Sequence, residues 1–145
     1  MTKEKKTERE KILYTVEIIL GNILAPQRYA NNHKIPIALK SDNYVIGFLY
    51  TIAKIVNTSI VGEKELDSTN DVVIDAISNA LETSNCDLIN IINIQIKKSE
   101  ALWLEGVSDA VDASEGVMQG DQEAFQNFKN KLDSRFGHAK NEKIH

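Results

Sequence analysis

Four carboxylates, Glu105, Asp109, Asp112 and Glu115, recur at steps of four, three and three within the stretch EGVSDAVDASEG. On a helix this spacing stacks them along one ridge. Carboxylates so placed can hold a hard cation, share a proton in acid–base catalysis, or simply face water. At about 100° per residue the four acids occupy one side of the helical wheel, and Trp103, Leu104, Val107, Val111 and Met118 gather on the other. A catalytic carboxylate needs neighbours that desolvate it, and Ca²⁺ or Mg²⁺ needs oxygens converging from more than one element. The ridge therefore reads as the wet side of an amphipathic helix, and its expected role is contact with a basic partner surface. Like charges at i,i+4 repel by roughly a few tenths of a kcal/mol, which such a partner would relieve.

The second candidate is the connection APQRYANNHKIPIALKS, residues 25–41, which is long for a link between helices. It gathers Arg28, His33, Lys34 and Lys40 in an acidic chain, and Tyr29, Asn31 and Asn32 add hydrogen-bonding groups. Arg28, Tyr29, His33 and Lys34 are the residues expected to bind a ligand or anion, because a basic, aromatic-bearing loop suits that task. The competing reading folds Ile35, Ile37 and Leu39 across the core as a lid and leaves the loop's charges in water. Of the three histidines, His138 and His145 sit at the polar end of the chain, so only His33 is placed for acid–base work.

Other chemistries lack support. GxSxG, HExxH, GxGxxG and GxxxxGK[ST] do not occur, so no catalytic residue, metal ligand or cofactor is assigned. The single cysteine, Cys86, excludes an intrachain disulfide and suits a reducing cytoplasm. A net charge of −4 argues against a nucleic-acid partner. The opening MTKEKKTERE has no apolar run, and the apolar stretches 12–25 and 44–56 are interrupted by Glu17 and Lys54. Neither reaches the ~20 residues that span a bilayer, so no membrane is expected.

These residues need elements to hold them. Two prolines and seven glycines in 145 residues favour long helices over a turn-rich β fold, and a 42% hydrophobic content can build one core. Thr7 and Glu10 have capping-box spacing, the stripe Ile12, Leu13, Val16, Ile19, Leu20 and Ile23 follows, and Pro26 is expected to stop this helix, over 8–24. A second helix over 42–60 is capped by Ser41 or Asp42, with Tyr44, Val45, Phe48, Leu49, Ile52, Ile55 and Val56 inward and Gly47, Thr51, Lys54 and Asn57 outward. A third, over 70–83, starts at Ser68 or Asn70 and carries Val73, Ile74, Ile77, Ala80 and Leu81. The last, over 121–136, has Phe125, Phe128, Leu132 and Phe136 on one side and Gly137 as its stop. Residues 87–116 read as helix, continuous or kinked near Lys97–Ser99, although Ile92, Ile94 and Ile96 alternate with polar residues as in a strand.

The expected architecture is all-α, one domain over 1–145, a bundle of four to five helices with 1–7 and 138–145 loose. The expected function is a small cytoplasmic protein-interaction module, adaptor, regulatory or chaperone-like, that associates as a homodimer. Met118, Phe125 and Phe128 are candidates for that contact. The alternative is a helical ligand-binding or enzymatic domain built on the Arg28–Lys40 loop. It would require a closed pocket into which His33 and a carboxylate converge.

Overall fold

A computed structural model describes residues 2–61, 66–121 and 123–137, and every regular element in them is helical. In order these are α1 Thr2–Tyr29, α2 Ile37–Lys40, α3 Asn43–Val61, α4 Leu66–Leu81, α5 Asn85–Lys98, α6 Ala101–Met118 and α7 Gln126–Leu132, the last running into a π-helical turn, Asp133–Gly137. The all-α bundle is thus the fold.

α3 is its central rod. Tyr44 to Leu49 are buried without a break, and Ile52, Ala53 and Asn57 follow. Of the residues expected outward, Lys54 is exposed and Thr51 half-buried, whereas Gly47 and Asn57 are buried because α6, α4 and α1 all pack on α3. Asp42 does cap the helix, its carboxylate accepting from the Val45 N–H at 3.0 Å. The α3–α6 pairing is the most extensive in the molecule and is also unusually close. A Cβ added to Gly106 would overlap the Tyr44 carbonyl, and one added to Gly47 would lie 2.7 Å from the Trp103 carbonyl oxygen. Only glycine admits two backbones at this separation.

α1 buries Val16, Leu20, Ile23 and Leu24, with Ile12, Leu13 and Ile19 half-buried, as the stripe requires. It begins at Thr2, so Thr7 lies inside the helix. Pro26 does not stop it: the helix runs on to Tyr29, and the carbonyl deprived of a donor belongs to exposed Asn22, within reach of water. Arg9 joins α1 to α4 through Asp71 at 2.9 Å and Asp75 at 2.8 Å. α4 starts at Leu66, which places Ser68 and Asn70 within it rather than at its cap.

The span 87–116 is two helices. Ser84 caps α5 by accepting from the Asp87 N–H at 3.2 Å. The helix stops at Ser99, whose φ of 51° is left-handed, and α6 starts anew at Ala101. Buried Gln95 holds this corner: its oxygen accepts from the Glu100 N–H at 3.1 Å and its amide donates to the Glu100 carboxylate at 2.8 Å. Asn43 donates to the same carboxylate at 2.8 Å, which ties the corner to α3. LINIINIQI is helix throughout, with Leu88 and Ile92 inward and Ile89, Ile94 and Ile96 exposed. The expected single helix over 121–136 is a turn at 123–125 followed by α7 and the π turn. Residues 138–145, including His138 and His145, lie outside the described residues.

Candidate functional site

The structure divides the acidic ridge. Glu105 and Asp109 face the C-terminal segment. Lys131 of α7 lies 2.7 Å from the Glu105 carboxylate and 2.7 Å from that of Asp109, and the Tyr44 hydroxyl donates to Asp109 at 2.6 Å. The Asp109 side chain is only 12% exposed. Burial, and then the bond to Asp109, push the Tyr44 hydroxyl's pKa up, so it remains a protonated donor across ordinary pH. Partial burial works against the Lys131 charge, yet its bonds to Asp109 and Glu105 outweigh this and raise its pKa above the usual lysine value. Asp112 and Glu115 are exposed, and neither has an ion pair among the described residues. Uniform exposure of the ridge is therefore corrected: α6 is turned on its axis relative to the sequence reading.

The same rotation changes which apolar residues are inside. α6 buries Trp103, Gly106, Ala110 and Ala113. Leu104, Val111 and Met118, expected in the core, are 50%, 41% and 80% exposed. With half-buried Val107 and Ser114 they fall at spacings of three and four, the pattern of a seam that receives another helix. Glu115 borders this seam, and Asp112 lies one step further round the helix. Of the contact candidates, Met118 is at the surface, Phe125 is half-buried and Phe128 belongs to the core.

The Arg28–Lys40 loop is held as structure. Glu82, at the left-handed end of α4 with φ 58°, receives Arg28 at 2.5 Å and the Ile35 N–H at 3.1 Å. The bond from Ile35, with Arg28 beside it, holds the Glu82 carboxyl below its ordinary pKa. Ile35 and Leu39 are buried, and Ile37 is not. Tyr29, His33 and Lys34 are exposed, and the Tyr29 and His33 rings meet edge to face at 5.5 Å. The structure thus pairs Arg28 with a carboxylate on α4 and leaves the other three on the outer turn. A groove of about 380 Å³ between α1 and α7 is lined by none of the four.

Lys131 and Arg135 carried no expectation from the sequence, and Asp42, expected only as a helix cap, also serves as the acceptor of Arg135. Arg135 forks onto Asp42 at 2.9 and 2.6 Å, and both Arg135 and Lys131 lie over the Tyr44 ring. The signal was present in FQNFKNKLDSRF, where the two cations are four residues apart on an aromatic helix. Among the described residues no three His, Cys, Asp or Glu side chains converge to hold a metal ion, and no helix is long and apolar enough to cross a membrane. No protein-family model, curated protein or solved structure matches the chain.

Proposed function

We propose that this chain is a cytoplasmic protein-interaction module, and that its contact surface is the outward seam of α6. The observation that carries this reading is the exposure of Leu104, Val111 and Met118 at heptad spacing on a helix whose opposite side is already packed. Apolar residues left in water along one line favour cover by another apolar surface. The occupant that fits is an amphipathic helix with basic residues along one border. Its apolar side meets the seam, and its cations meet Asp112 and Glu115, the two ridge acids that Lys131 does not reach. The exposed thiol of Cys86 accords with a reducing compartment.

The test is capture from a lysate of the source organism on three immobilised chains: wild type, Leu104→Glu with Val111→Glu, and Asp112→Asn with Glu115→Gln. The expected result is a protein retained by wild type, lost with the glutamates and weakened by the neutral pair, the last loss growing smaller at high salt. Identical retention by all three chains would overturn the reading.

A further inference from the structure

We propose that residues 123–137 form an exchangeable arm, and that a second copy of this chain receives the arm in the groove between α3 and α6. The groove has an aromatic floor and an acidic rim. Phe128 stacks on Phe48 with ring centroids 3.9 Å apart and on Tyr44 at 5.7 Å, and Phe125 meets Phe48 edge-on at 6.2 Å. Buried Leu132 completes the apolar contact. On the rim, Lys131 meets Glu105 and Asp109 while Arg135 meets Asp42. The seated segment itself states what the groove accepts: a short basic helix with aromatic residues three apart.

Three observations favour exchange between copies. Among the described residues the ion pairs from the arm to the rest of the molecule end on α6 or on the α3 cap, and aromatic side-chain packing joins it to the body. On its other side the 380 Å³ groove separates Phe125, Gln126 and Lys129 from Ile19, Ile23 and Pro26 of α1, so the arm is fastened along one edge. The connector contains Gly120 at φ 81°, a conformation glycine adopts and leaves without steric cost. When the arm departs, Tyr44 and Phe48 are uncovered on every copy, and the arm of a neighbour restores the same contacts. Exchange of an identical element is a low-cost route to a dimer because it requires no new interface. The arm contacts differ from the α6 seam, so seam substitutions leave the exchange intact and failure of one proposal is separable from failure of the other.

Two full-length variants test this. Lys131→Glu reverses the arm, and Glu105→Lys with Asp109→Lys reverses the rim. Each alone sets like charges against each other, both within a chain and between copies. Mixed in equal amounts, they can match both arms only by exchanging them. The expected result is monomer for each variant and, on mixing, a species of twice the monomer mass containing one of each, detected by native mass spectrometry. Folded variants that stay monomeric when mixed would overturn the proposal. If the rim variant does not fold, a chain lacking Gly120 and Asp121 replaces it, because the shortened connector keeps the arm from folding back. Dimeric sedimentation of that chain supports exchange, and monomeric sedimentation overturns it.

Discussion

The two long sides of α6 invert the usual relation between size and burial. Toward α3 it presents Gly106, Ala110 and Ala113 beside Trp103, and toward solvent it presents Leu104, Val111 and Met118. The inner side is stabilised by approach: small residues let the two backbones come within contact distance, and dispersion accumulates over many atom pairs. The outer side has the bulk and the spacing for the same kind of contact, yet its large residues are exposed among the described residues. The ridge acids repeat the contrast, Asp109 lying in a network with Tyr44 and Lys131 and Asp112 lying in water. Residue type on this helix therefore says less about position than does the distance to the neighbouring helix.

The strongest way to break the inner side is Gly106→Ala. The new methyl would overlap the Tyr44 carbonyl and lie 2.9 Å from the Phe48 nitrogen, so α3 and α6 must separate. We expect a loss of about 3 kcal/mol, measured by urea denaturation. Asp109→Asn should come next, at about 2 kcal/mol, since it removes the charge facing Lys131 and weakens the acceptor of Tyr44. Asp112→Asn, three residues along the same ridge, should leave the midpoint unchanged, and an equal effect from both would mean that the two acids share one environment.

Tyr44→Phe should cost about 1 kcal/mol. It also carries a pH signature. The folded-state pKa of Tyr44 is raised by burial and by Asp109, so its contribution is fully present below the unfolded value of about 10 and is lost as pH rises above it. The wild type should lose stability above about pH 10 more steeply than the Phe variant, as followed by circular dichroism. The smallest effect on stability belongs to the outer side. Leu104→Glu with Val111→Glu should shift it by roughly 0.5 kcal/mol or less while abolishing partner capture, and a large loss of stability would mean that the seam is packed.

Much of the architecture was legible in the sequence. The stripes of α1 and α4 place Val16, Leu20, Ile23, Val73, Ile77 and Leu81 inside, and the structure buries each. Asp42 could be read as a cap because its position and chemistry are local. The corner at Ser99 was visible as one of two options near Lys97–Ser99, but what holds it is Gln95 bonding to Glu100 and Glu100 to Asn43, a residue far away in the chain. The rotation of α6 was not legible. A helical wheel weights bulky apolar residues toward the core, and it has no means of knowing that a neighbour will approach close enough for glycine and alanine to become the buried side.

The candidate sites divide in the same way. Residue type alone marked Glu105, Asp109, Asp112 and Glu115 as a possible basic-partner surface, and Arg28, Tyr29, His33 and Lys34 as a possible anion loop. Which of those charges already has a partner depended on Lys131 and Glu82, which reach them from other helices. By itself the sequence determined the helical class, the inward stripes of α1 and α4 and the α3 cap, because periodicity and capping act within a few residues along the chain. Only the tertiary structure decided the facing of α6, the neutralised half of the ridge and the seating of the C-terminal arm, because each rests on how closely distant segments approach and which charge they bring.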